Sequence, residues 1–194
     1  MNEIILASKS KVRKEILNIN GIHCEVFPSN IDEDSVKNSL LKQNASPEII
    51  SKNLAELKAN KVSAKFSDKL VIGADSVIDL EGKIISKPSN RIEALSILKL
   101  LNGKPHCLIS SVCISKGGNM IWNYTDTAQL FMKKFKLEEL ENYLSKLSDE
   151  SLYAYNVYQI EGIGRDLFSE IKGDEDTIMG LPVKKIKVYL KNLN

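Results

Sequence analysis

The sequence predicts one α/β domain, residues 1–194, built on a mixed sheet and not on a doubly wound parallel one. Three observations predict this. The first half alternates short apolar runs with helical patterns. The middle places two apolar runs around Gly117-Gly118-Asn119, an antiparallel hairpin signal, and the last part mixes short runs of both kinds. The length suffices for a real core, and no linker, low-complexity segment or internal repeat interrupts the chain.

Taken in order, Glu3–Ala7 reads as a buried strand and Lys9–Asn18 as a helix with Val12, Ile16 and Ile19 on one face. His23–Phe27 reads as a second strand, ended by Pro28-Ser29-Asn30, with Ile31–Asp34 a short acidic loop and Val36–Leu41 a weak helix. Ser46 and Pro47 supply an N-cap and a first-turn proline for a long helix from Pro47 to about Phe66. Its expected inward face runs through Ile50, Leu54, Leu57, Asn60/Lys61 and Ala64, with Lys58 beside that stripe.

Leu70–Asp79 is the most strand-like run in the chain, followed by a turn at Glu81-Gly82-Lys83 and a return at Ile84-Ile85-Ser86. Ser89-Asn90 caps a helix to Leu101, which Asn102-Gly103 stops. His106–Ser115 and Met120–Phe131 form the hairpin, and Leu137–Leu147 is an amphipathic helix. Val157–Glu161 and Leu167–Ile171 are strand candidates around Gly162 and Gly164, and Val183–Leu190 is a last helix.

A formal charge of +2 and few aromatics argue against nucleic acid as a partner. The 3 cysteines have no metal-binding spacing and read as buried or half-buried thiols of a reducing compartment. With only 2 histidines, both read as strand-edge residues, a zinc site or histidine triad is poorly supplied. No signal peptide is expected, because charges follow the Ile4–Ala7 run at once, and no run approaches a membrane span. The expected setting is soluble and cytoplasmic.

Several residues suggest chemistry. Ser8, Ser10 and Arg13 stand where an apolar strand breaks into a helix start, a place where hydroxyls, N–H groups and a bidentate guanidinium suit a phosphate. Ser8 reads equally well as a plain N-cap and Arg13 as a solvated arginine. Asp75 lies inside an apolar strand, where a carboxylate is costly unless it is paired or binds a cation. It reads as a metal ligand or a base for water, the alternative being a turn cap or solvent-facing residue; Gly73-Ala74 leave room for close approach. Glu33 offers a second carboxylate or a surface charge. Lys87, stiffened by Pro88, could neutralise phosphate, whereas Lys58 is one among many lysines. Glu161, between Ile160 and Gly162, could accept from a nucleobase edge or simply be exposed.

Together these residues resemble the Maf family of nucleoside triphosphate pyrophosphatases. The family's A-S-x-S-P-R-R-x-x-L-L stands here as Ala7-Ser8-Lys9-Ser10-Lys11-Val12-Arg13-Lys14-Glu15-Ile16-Leu17. Its D-E matches Asp32-Glu33, its A-x-x-K-A matches Ala55 to Ala59, its A-D-T appears as Ala74-Asp75-Ser76, and its G-K-P as Ser86-Lys87-Pro88. Glu161-Gly162-x-Gly164 and Gly180-Leu181-Pro182 complete the series.

The resemblance implies an elongated mixed-sheet fold with a cleft between two lobes, similar to the inosine triphosphate pyrophosphatases. It implies hydrolysis of a nucleoside triphosphate to monophosphate and pyrophosphate with a divalent cation, Mg²⁺ or Mn²⁺. In that scheme Asp75 accepts the proton, Ser8, Ser10, Arg13, Lys58 and Lys87 hold the triphosphate, and Glu33 joins Asp75 at the metal. A homodimer and a link to arrest of cell division are associated with the family.

Three departures bear on the base. Val12 stands where members acting on dTTP and UTP carry Arg, Ser76 replaces their Thr, and Glu161 replaces their Gln. Glu161 is similar to members acting on 7-methyl-GTP, whose counterpart of Ser76 is Gln. A carboxylate accepts from a guanine N–H edge, whereas Gln pairs with a pyrimidine imide, so the base stays open between the two classes. Rival readings are a phosphatase that releases orthophosphate and a nucleotide-binding regulator of division without turnover.

Overall fold

The computed structural model describes residues 3–193, the side chains of residues 153–155 excepted. Its sheet has seven strands: β1 (Ile4–Leu6), β2 (Glu25–Val26), β3 (Leu70–Leu80), β4 (Lys83–Ile85), β5 (Pro105–Lys116), β6 (Asn119–Met132) and β7 (Phe168–Lys172). The order is β2-β1-β3-β5-β6-β7, with β4 also paired to β3. β1 is parallel to β2 and β3, and the remaining pairs are antiparallel, so the sheet is mixed as expected.

The edges of β3 decide where a site can form. β5 lines one edge from Val71 to Asp79. On the other edge β1 pairs only as far as Ile72, and β4 begins at Ile78. Among the described residues, no strand covers 73–77 on that side, which leaves a notch in the sheet that side chains enter; Gly73, Ala74, Asp75 and Val77 are buried there and Ser76 is half-buried.

Among the described residues, eight α-helices accompany the sheet: α1 (Lys11–Ile19), α2 (Glu33–Lys42), α3 (Pro47–Ser63), α4 (Arg91–Leu101), α5 (Leu137–Ser145), α6 (Asp149–Tyr155), α7 (Glu175–Ile178) and α8 (Val183–Asn192). Period-2 alternation sorts β3 between the faces. Leu70, Ile72 and Ala74 join Ile16 and Leu17 of α1 and Val183 and Ile186 of α8 in one apolar cluster. Further along the same face, Ile78 and Leu80 join a second cluster with Leu98 and Leu101 of α4 and Leu140 of α5. On the opposite face Val71 packs on Val62 of α3, and Cys113 packs on Ala55 and Ala59. Ser76 thus falls between the two clusters of one face, while Asp75 faces α3 on the other, and the notch lies there.

Local chemistry explains most elements. The Ser46 side chain accepts the Ile49 N–H and Pro47 occupies the first turn of α3. Asn90 caps α4, and Gly117 and Gly118 at φ +57° and +85° make the two-residue turn between β5 and β6. Several sequence expectations need correction. Glu33 is not in a loop: Asp32 caps α2 by accepting the Ser35 N–H, and Glu33 begins that helix. Val157–Glu161 is not a strand; its apolar residues Val157, Tyr158 and Ile160 are buried from turn geometry, followed by a 3₁₀ turn at Ile163–Leu167. α6 and α7 have no counterpart in the sequence reading.

The buried face of α3 carries Ile50, Ser51, Leu54, Ala55, Lys58, Ala59, Val62 and Ser63, whereas Leu57 is exposed. Lys58 therefore points inward. His106 is likewise not an edge residue. β5 has neighbours on both sides, and His106 is 3% exposed, with its Nε2 3.0 Å from the Tyr158 hydroxyl and its ring against Phe168. Burial lowers its imidazole from 6.5 to about 4. The thiols behave as expected: Cys24 and Cys107 are half-buried and Cys113 is buried, all free.

Candidate active site

The notch collects the charged residues that the sequence singled out. Gly73 comes first in the construction. A Cβ there would lie 2.3 Å from the Ala55 carbonyl oxygen and 2.6 Å from the Ala59 nitrogen, so only glycine lets α3 approach β3 this closely. The approach seats Lys58, between those two alanines, against β3. Its Nζ lies 2.8 Å from Asp75 Oδ1 and 3.0 Å from Glu33 Oε1. Lys58 and Asp75 are almost fully buried, and Glu33 is half-exposed at the mouth. From the same helix face, the Ser51 hydroxyl donates to the Asp75 carbonyl at 3.1 Å.

Arg13 enters from the opposite face. Ser10 is the N-cap of α1 and accepts the Arg13 N–H; Ser8 is not the cap, and its hydroxyl accepts the Ser10 N–H and Arg13 Nη1. The guanidinium is fixed by protein. Nε donates to the Gly180 carbonyl at 2.9 Å, Nη1 to the Ala74 carbonyl at 2.9 Å and Ser8 Oγ at 3.2 Å, and Nη2 to Ser76 Oγ at 3.0 Å. Four of its five N–H groups are thus directed at the protein, and the bidentate phosphate clamp expected of Arg13 is not the arrangement present. Arg13 offers its charge and one remaining Nη2 N–H.

Electrostatics ties the groups together. Burial lowers the Arg13 pKa, while the charges of Asp75 and Glu33 oppose that shift. Lys87 lies beyond β4 and is exposed as a residue, but its ammonium is turned into the protein: desolvation and then the Arg13 charge push it below the usual lysine value, against the pull of Glu33 and Asp75. Arg13, Glu33, Lys58, Asp75 and Lys87 therefore share one electrostatic environment. Three cations face two carboxylates, a setting for a polyanion. Among the described residues, no cluster of three or more His, Cys, Asp or Glu is placed to hold a metal ion.

Two other candidates lie elsewhere. Val12 packs against the apolar cluster of α1 and α8. Glu161 is exposed, its Oε1 accepting from Gln159 Nε2 at 3.1 Å, and none of its hydrogen bonds or ion pairs among the described residues reaches the Asp75 group. Ser76 lies at the notch through Arg13.

Sequence reasoning passed over Ser51, Ser110 and Gly180's contact with Arg13. Two signals were available. Ser51 lies seven residues before Lys58, the same helix face. Ser110-Ser111 interrupts the apolar run of β5 with hydroxyls that a buried strand must satisfy.

Comparison with known proteins bears on the family and the fold. The chain is 73% identical over 191 residues, 98% of each chain, to a nucleoside triphosphate pyrophosphatase of Pelagibacter ubique (strain HTCC1062). It is 34% identical over 98% of its length, and 96% of the other, to a 7-methyl-GTP pyrophosphatase of Rhizobium etli. Among solved structures, the Ham1 protein of Coxiella burnetii matches with a TM-score of 0.55 at 10% identity, covering 99% of this chain and 100% of that one. The Staphylococcus aureus Ham1 protein matches with a TM-score of 0.52 at 14% identity and the same coverage. These two share the fold expected from the sequence. The Maf-like protein profile matches residues 3–193, and with relatives this similar over nearly their whole length, the chain belongs to the Maf family.

Proposed function

We propose that this protein hydrolyses a nucleoside triphosphate to the monophosphate and pyrophosphate. The observation that carries the reading is the buried Asp75–Lys58 pair, with Arg13 and Lys87 in its electrostatic field and the half-exposed Glu33 at its mouth. A buried carboxylate held by one ammonium, with further cations around it, is suited to water attack on a highly charged phosphoric anhydride. The names of the relatives support the same reaction.

In this mechanism the triphosphate lies along the start of α1, with Arg13, Lys58 and Lys87 balancing its charge and Ser8 and Ser10 offering hydroxyls to its oxygens. Lys58 holds Asp75 Oδ1 and so leaves Oδ2 toward the reacting water. The water oxygen bonds to the α-phosphorus, the bridging P–O bond to the β-phosphate breaks, and its electron pair leaves with pyrophosphate. Asp75 takes the water proton.

Glu33 and Asp75 fit a divalent cation. They are hard oxygen donors brought within reach of one ammonium, and magnesium is commonly bound by one or two carboxylates together with substrate phosphates. Such a cation supplies charge neutralisation and lowers the pKa of bound water. The base is a guanine-type or pyrimidine nucleotide, with Ser76, Val12 and Glu161 as the candidate selectors; the second relative's name favours the 7-methyl-GTP side. The cytoplasmic setting and homodimer are part of the same reading, and no described helix is long and apolar enough to cross a membrane.

The test is incubation of the purified protein with Mg²⁺ or Mn²⁺ and dTTP, UTP, GTP or 7-methyl-GTP, with pyrophosphate and orthophosphate assayed separately. Pyrophosphate is expected from one or a few substrates, and Asp75→Asn is expected to abolish it while the protein stays folded. Orthophosphate alone would make the protein a phosphatase. Nucleotide binding without turnover would make it the regulator of cell division, and a fully active Asp75→Asn would remove Asp75 from the chemistry.

A further inference from the structure

Ser76, Ser110 and Asp126 are directly opposite one another on β3, β5 and β6. They form a polar row on the face that carries Arg13, between the two apolar clusters of that face. α7 lies over this row. The Ser110 hydroxyl donates to the Thr177 carbonyl at 2.7 Å, and the Thr177 hydroxyl donates to Asp126 Oδ2 at 2.7 Å. Ser110 and Thr177 are fully buried.

The direction of the chain is fixed by proton count, since each serine has one hydroxyl hydrogen. Ser110 gives its hydrogen to Thr177, so in the 2.8 Å contact with Ser76 it must accept. Ser76 therefore donates to Ser110 and presents a lone pair to Arg13 Nη2. The same Thr177 carbonyl also accepts the Gly180 N–H at 3.0 Å. Gly180 in turn accepts from Arg13 Nε and has φ +96°, and a Cβ there would lie 3.1 Å from Ser76 Oγ. Two routes thus run from Thr177 to two edges of one guanidinium, and Asp126 ties Thr177 to the sheet.

We propose that Ser110, Thr177 and Asp126 are positioning residues that set the Arg13 guanidinium for the triphosphate, through Ser76 on one side and Gly180 on the other. This rests on the reading of Arg13 as a phosphate-binding group. It assigns a task to α7 and to the Ser110 side chain at the centre of β5, which lies on the face of the sheet opposite Asp75 and Lys58.

The test is a set of double-mutant cycles on the whole protein, read as the affinity for inorganic tripolyphosphate by titration calorimetry and as kcat/KM for pyrophosphate release. Thr177→Val and Ser110→Ala are each expected to weaken both readouts about tenfold, a change of about 1.4 kcal/mol. Thr177→Ser, which keeps the hydroxyl, is expected to restore them. In an Arg13→Lys background, where no fork remains to be aimed, the same two changes are expected to have less than a twofold effect.

Equal losses in both backgrounds would mark a general structural role and overturn the proposal, as would no loss in either. Urea unfolding of each variant separates misfolding from misplacement; if Ser110→Ala fails to fold, Thr177→Ser against Thr177→Val still decides. Tripolyphosphate binding that ignores Arg13→Lys would overturn the Arg13 reading and this proposal with it. An intact cycle in affinity without any pyrophosphate release would overturn only the proposed reaction.

Discussion

At the scale of single residues, Lys58 governs the site's stability as well as its charge. It is buried and shared by two carboxylates, so replacing it leaves Asp75 buried without its partner. Breaking such a pair costs about 3 kcal/mol, whereas removing both charges costs far less. Lys58→Met is expected to lower the urea-unfolding free energy by that amount, and Lys58→Met with Asp75→Leu to recover much of it. Additive losses would show that the two side chains do not act as a pair. Lys58 was legible in the sequence only through the family motif. Hydropathy placed it beside the inward stripe, because burial of an ammonium depends on Glu33 and Asp75, distant in sequence. Arg13 was legible as a candidate, but the use of its N–H groups was not, since Ala74, Ser76 and Gly180 reach it only in the folded chain.

At the scale of elements, the contact between α3 and β3 is the tightest constraint. The start of α3 could be read from Ser46-Pro47, a local signal, but its face could not, because Leu57 and Lys58 exchange the roles that hydrophobicity alone assigns. Gly73→Ala is expected to force α3 outward and destabilise the fold by about 2 kcal/mol. The same displacement would withdraw Lys58 from Asp75, so kcat/KM should fall in parallel with the urea midpoint; an unchanged midpoint would refute the close approach. α6 escaped sequence reading although Ser148 caps it and Asp149 and Glu150 fill its first turn. Its aromatic residues run on into Val157–Glu161, which has the alternation of a strand and the burial pattern of a packed turn. The hairpin was legible nearly to the residue because its two glycines adopt the positive φ that the turn demands.

At the scale of the whole molecule, acid should loosen the apolar cluster that α4 and α5 form with the sheet, against which His106 packs through Tyr158 and Phe168. Unfolded, His106 titrates near 6.5; folded, burial lowers it to about 4. Between those values the unfolded chain binds more protons, so the contribution is fully present above pH 6.5 and is lost as pH falls toward 4. The full loss is about 3 kcal/mol. The His106→Gln variant is therefore expected to show a smaller change in urea midpoint from pH 7 to pH 4.5 than the parent protein. Equal changes would assign the acid sensitivity to other groups. The mixed sheet was legible at this scale, but the notch was not, since it arises from where β1 stops and β4 starts along one strand.

The sheet also acts as a partition. Lys58 and Glu33 are anchored through α3 and α2 on one side, and Arg13 through α1, α7 and α8 on the other. The two supports share β3 but rest on different apolar clusters, so local opening need not be simultaneous. If the layer of α1 and α8 frays first, the guanidinium is lost while the buried pair survives. Catalytic competence can then disappear at temperatures where helix content is still nearly native, and inactivation would precede melting.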